Sequence, residues 1–186
     1  MTMNTQTPVA EKSKRKTAAQ NESQPLFRKF FIEALQDIYW AEKHIPKGLQ
    51  KMQKAATCKR LIAAFKKHEE ESPEQLALLE QVFAALGEKA VAKKCDAMEG
   101  LMKETDSVIE ETEKDSFVRN AALILCAQKI EHYEIATYGT LCALAGYLPE
   151  REVQQLLGDI LAQEKKTDVS LTEIAEAYVN QPASEE

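Results

Sequence analysis

Several acids in this chain sit where apolar residues should be. Glu42 interrupts the helical line Ile38, Ile45, Leu49, and Glu131 interrupts Ile124, Ile135, Tyr138. Glu164 falls between Ile160 and Leu171, and in a fourth stripe, Leu61, Phe65, Leu76, Leu79, the gap holds His68, Glu69 and Ser72. Each interruption lies near the middle of its own stripe. Helices packed side by side share a mid-height, so the four gaps converge on one layer. A buried carboxylate costs several kcal/mol unless it is paired or holds a cation. Carboxylates aimed at one another either protonate or take up a metal, and carboxylate and imidazole donors suit iron, manganese or zinc.

The candidate ligands are Glu42, His68, Glu71, Glu131, Glu134 and Glu164. Glu134 follows Glu131 by three and shares its face. Glu71 follows His68 by three, but a kink expected at Pro73 leaves its direction open. Two other readings stand beside the metal. Each acid alone is an ordinary boundary residue, with Lys43 and Lys47 near Glu42 and Lys165 and Lys166 beside Glu164. Together they form a buried polar layer without metal, in which His68 is a hydrogen-bonded core histidine. Tyr39, Tyr133 and Tyr138 are within sequence reach as hydrogen-bond donors or as aromatic packing.

The stripes predict the elements that carry these residues. The first helix runs from Pro25 past Met52, bent at Pro46; the second from an N-cap at Thr57 to a stop at Gly87. Residues 88–115 are less regular, with a short amphipathic piece around 97–109. The third helix runs from Ser116 to Gly146 and is apolar on two sides, one for the bundle and one for a partner subunit. The fourth runs from Pro149 to Val179. One long crossover between two helical hairpins is ferritin-like connectivity, so the fold is an all-α ferritin-like four-helix bundle with a short extra helix in the crossover. The bundle occupies residues 25–180, between a polar tail at 1–24 and a short tail at 181–186.

The 186 residues are 44% hydrophobic and 29% charged, with only six Gly and six Pro, which excludes a sandwich, a barrel or a collagen-like chain. A net charge of −6 argues against a nucleic-acid partner and suits a protein that handles cations. The chain shows neither the apolar run of a signal peptide nor a membrane span, so the expectation is a cytoplasmic protein without a membrane partner. Cys58, Cys95, Cys126 and Cys142 lack CxxC spacing and are expected to be reduced, buried thiols.

Four segments, LQDIYWAEKHI at 35–45, AAFKKHEEES at 63–72, CAQKIEHYEIATYGTL at 126–141 and LAQEKKTDVSL at 161–171, resemble the YciE/YciF family of ferritin-like, stress-associated bacterial proteins. The resemblance implies a subunit that pairs as a homodimer, is linked to stress response and carries a ferroxidase label. The implied chemistry is a di-iron site, with manganese or zinc as other occupants, where dioxygen or peroxide oxidises Fe(II) between Glu131 or Glu134 and Glu164. Di-iron bundles usually carry Glu-x-x-His on two helices. Here Thr167 follows Glu164 by three, Pro73 follows Glu70 by three, and none of His44, His68 or His132 follows a Glu by three. A non-enzymatic dimeric stress protein with a metal-free layer is therefore the second function.

Overall fold

The computed structural model describes residues 25–186; the expected tail at 1–24 lies outside the described residues. The first predicted helix is broken, not bent. It forms α1 (Pro25–Glu42) and α2 (Ile45–Ala55), joined by a turn at Lys43 and His44. Pro46 lacks an N–H, and its ring would press on the Glu42 carbonyl four residues back. The chain therefore leaves the helix and restarts with Pro46 in the first turn of α2. His44 braces the joint: its Nδ1 donates to the Trp40 carbonyl at 2.7 Å, and its ring stacks on the indole with centroids 3.7 Å apart.

Helix α3 (Lys59–Ala85) is not capped by the Thr57 side chain. Instead the Thr57 and Cys58 N–H groups donate to Asn120 Oδ1 at 2.9 and 3.1 Å, and Asn120 Nδ2 donates to the Thr57 hydroxyl at 2.8 Å. The cap thus comes from across the bundle. Pro73 does not interrupt α3; it faces solvent, where the Glu69 carbonyl it deprives of a donor can be hydrated. Gly87, at φ +70°, ends the segment as expected.

Residues 88–95 form a non-helical connection tied to α1 by Lys93 N–H, which donates to the Gln36 carbonyl at 3.0 Å. The short crossover piece is a full helix, α4 (Asp96–Glu111). Helix α5 (Phe117–Ala145) starts at Ser116, whose hydroxyl accepts from Arg119 N–H at 3.0 Å. Helix α6 (Arg151–Ile174) passes through a π-helical turn (Ala175–Val179) into α7 (Asn180–Ser184), so helix continues where a polar tail is predicted. The Glu186 carboxylate then accepts from the Phe117 and Val118 N–H groups at 2.9 and 3.0 Å, filling donors left open at the start of α5.

Helix α1 packs on α3 and α5, and both of those pack on α6, closing a four-helix ring with α4 laid outside on α2 and α5. Helix α6 is antiparallel to both neighbours: Gln75 meets Glu164, and Gln154 Nε2 donates to the Cys142 carbonyl at 3.2 Å. With its single long crossover this is the ferritin-like bundle the sequence predicts. Phe31, Leu35, Phe65, Phe83, Leu123, Ile130 and Leu157 fill its core, each contributing about 1.5–3 kcal/mol by burial. Both apolar lines of α5 are largely covered within the chain, by α1, α4 and α6, leaving Val118 and Leu125 exposed on its outer face. All four cysteines are free; Cys95 and Cys126 are buried, whereas Cys58 and Cys142 are only half-buried. Among the described residues no helix is long and apolar enough to cross a membrane.

Candidate metal centre

Three helices bring four donors together. His68 comes from α3, Glu131 and Glu134 from consecutive turns of α5, and Glu164 from the middle of α6. Each offers one ligand atom, and those atoms all lie within 4.8 Å of one another. His68 Nδ1 is 3.1 Å from Glu131 Oε1 and Nε2 is 3.6 Å from Glu164 Oε2, near enough to attract but off the hydrogen-bond axes. None of the four is more than 2% exposed. Glu42, from the end of α1, is equally buried and lies against Glu134, with Tyr138 donating to its Oε1.

The layer is polar without being satisfied. No donor reaches either oxygen of Glu134, nor Glu131 Oε2, Glu164 Oε2 or Glu42 Oε2, and both His68 nitrogens lack an aligned partner. Burial, then the charges of Glu164, Glu42 and Glu131, holds Glu134 well above the usual carboxylate range. Burial, then Glu131 and Glu42, pushes Glu164 up to about 10. Glu42 is also raised by burial, although Tyr138 and His68 pull against it. For His68 burial opposes the charge, but Glu131, Glu42 and Glu71 outweigh it and raise the imidazole's proton affinity. Without a metal the layer therefore favours bound protons at His68, Glu134 and Glu164. A divalent cation would compete with those protons and would engage the orphaned oxygens, so the donor chemistry fits iron, manganese or zinc.

Five of the six residues expected from sequence share this layer: Glu42, His68, Glu131, Glu134 and Glu164. Glu71 does not join it. On a helix, three residues turn the side chain about 60° away from His68, whereas Ser72 and Gln75 stay within about 40°. Glu71 is half-buried and pairs with Lys67 at 3.0 Å. The position missed is Gln75, buried at 1% exposure, which donates through Nε2 to Glu164 Oε1. Its place on the stripe two turns after His68 was a readable signal, but an uncharged amide passes for a boundary residue. Of the tyrosines only Tyr138 serves the layer. Tyr39 donates to Glu80 at 2.8 Å, and Tyr133 donates to Asp37 at 2.9 Å with Cys95 Sγ 3.1 Å away.

A family model described as "Domain of unknown function (DUF892)" matches residues 27–184. Protein YciF of Escherichia coli (strain K12) is 46% identical over 154 residues, 82% of this chain and 92% of that protein. The crystal structure of the E. coli stress protein YciF superposes with a TM-score of 0.79 at 45% identity, over 83% of this chain and 97% of that one. YcfI from Rhodopseudomonas palustris gives a TM-score of 0.74 at 37% identity, over 78% of this chain and 92% of that one. A Xanthomonas campestris protein, at 24% identity, shares the fold with a TM-score of 0.64, over 86% and 97% of the two chains.

Proposed function

The chain belongs to the DUF892 family, and from that premise we propose that its buried layer takes up Fe(II) as substrate and oxidises it with peroxide or dioxygen as part of a cytoplasmic stress response. The stress role is taken from the E. coli relative, which is a stress protein by name. One observation carries the chemical part: a buried cluster of one imidazole and three carboxylates whose ligand atoms crowd within 4.8 Å while most lack any donor. The residues that would hold an iron pair are Glu42, His68, Glu131, Glu134 and Glu164. Iron bound there supplies one electron per ion, so two Fe(II) and two protons convert one peroxide to two waters, leaving two Fe(III). Cations entering there would displace the protons favoured at Glu134 and Glu164. Tyr138 orients Glu42, and Gln75 orients Glu164.

Anaerobic Fe(II) loading followed by desalting tests this. About two retained irons per chain, with an absorbance change on exposure to peroxide or air, is the expected result. One iron per chain keeps the site and removes the pair; no retained iron, manganese or zinc overturns the proposal. The same reading includes a homodimer, built on the outer face of α5, where Val118 and Leu125 lie two turns apart. Sedimentation of Leu125→Glu is expected to show a monomer where the parent is a dimer.

The metal-free alternative has its own support. Protons favoured at Glu134 and Glu164 reduce the repulsion among the buried acids, and His68 lies 3.1 Å from Glu131. A stress protein acting through partners needs no more than that, and it is what remains if no metal is retained.

A further inference from the structure

The layer has no direct opening to water, so a cation must first be met at its rim. The seams between the helices differ in what they offer. On α1 the residues leading up to Glu42 include Ile38 and Ala41, fully buried and apolar, which offer a cation no ligand. Between α1 and α3, Tyr39 packs edge-on to Phe83 and donates to Glu80. The α5–α6 seam carries Asp168, but that carboxylate is occupied: Gln128 donates to it at 3.2 Å, and His132 lies 3.3 Å from the same oxygen.

The α3–α6 seam is different. Glu71 keeps 32% of its side chain exposed, one turn from His68, and its charge is felt at both His68 and Glu164. Behind it, His68 Nε2 and Glu164 Oε2 face each other, fully buried and without an aligned partner. On α6, next to Glu164, the buried Oε1 of Gln163 also lacks a donor. The partner of Glu71 is Lys67, itself 57% exposed, in the kind of helical pair that contributes little and is easily displaced.

Resting on the metal-binding reading above, we propose that Glu71 is the entrance carboxylate for divalent cations: it exchanges Lys67 for the incoming ion and passes that ion inward to His68 and Glu164. Glu71 acts through those ligands and is not one of the final set. The same helix carries a control. Lys66 and Glu70 form a pair of identical spacing at 3.5 Å, with both side chains about two-thirds exposed and away from the seam.

The test is stopped-flow mixing of metal-free protein with Co(II), following its visible absorption band, together with an equilibrium titration and chelator-driven release. Glu71→Gln is expected to slow loading and release by the same factor, about tenfold, with affinity and final Co(II) content unchanged. Lys67→Gln is expected to speed both. Lys66→Gln and Glu70→Gln are expected to stay within about twofold of the parent, because exposed charges away from the seam are screened. Glu71→Gln loading at the parent rate overturns the entrance. So does an equal loss in rate and affinity, which makes Glu71 a ligand, or an equal slowing by Glu70→Gln, which makes the effect general. If the parent takes up no Co(II), the metal reading itself fails, and the entrance with it.

Discussion

Tyr133 and Glu134 are neighbours on α5, yet they enter polar clusters of opposite kind. The Tyr133 hydroxyl donates to Asp37 at 2.9 Å and meets Cys95 Sγ at 3.1 Å, and that sulfur also accepts from Met98 N–H at 3.3 Å. The cluster ties α1, the crossover and α5 together. Burial and these neighbours push the Tyr133 phenol far above its ordinary range, so it stays a neutral donor. One residue on, Glu134 is fully buried and neither oxygen has a donor. Both clusters break an apolar surface, but only the second is left with unused acceptors. Such leftover acceptors, more than buried charge itself, separate a ligand site from an internal strut.

If that contrast is right, substitutions in the two clusters should fail in different ways. The largest effect is expected from Glu134→Ala, which removes a donor and leaves the fold intact: iron affinity should drop at least about a hundredfold by equilibrium dialysis. Retention of parental affinity would erase the distinction. Next comes Glu164→Leu in metal-free protein. Replacing a buried acid that has a donor on only one of its oxygens with an apolar side chain is expected to raise stability by about 1–4 kcal/mol in urea unfolding at neutral pH, while abolishing stabilisation by metal. A loss of stability in the metal-free variant would show that the layer is already satisfied.

Acidity sharpens the comparison further. Folded Glu164 holds its proton up to about pH 10, whereas the unfolded chain releases it near 4.5. The folded state therefore binds more protons in this window, and metal-free stability is greatest below it and falls as pH rises. His68, raised above its ordinary 6.5, adds to the decline at higher pH. Metal affinity should run the other way, rising with pH as the competing protons thin out. Urea midpoints in chelator at about pH 5.5 and about pH 8.5 check the sign; a higher midpoint at the alkaline end contradicts it. The smallest effect is expected from Tyr133→Phe, which should cost about 1 kcal/mol in the same assay and leave iron uptake unchanged.

Much of the layer is legible because its residues are titratable and most break an apolar stripe near its middle. Glu42, His68, Glu131 and Glu164 are found this way, and Glu134 by its three-residue spacing from Glu131. Gln75 is not, because an amide carries no charge to look anomalous. The sequence leaves the direction of Glu71 open at Pro73; α3 continues through Pro73 on the solvent side and leaves Glu71 half-buried against Lys67. Pro46 erred in the opposite sense: a bend was expected where the chain breaks. Proline's local rule is the same in both places, and the difference lies in which side of the bundle must accept the lost hydrogen bond. The cap of α3 was unreadable for another reason. Its donor and acceptor are more than sixty residues apart in sequence, at Thr57 and Asn120.

That cap also works as a ruler. Asn120 pins the start of α3 to the first turn of α5, and from this common zero the two helices climb in the same direction at opposite corners of the four-helix ring. His68 stands about ten residues up one helix and Glu131 about eleven up the other, each roughly 15 Å from the pin at the helical rise. Their meeting is thus a matter of equal counting from one mark. A change at Asn120 would slide one scale against the other, and a residue that never touches the layer would then behave in assays as though it belonged to it.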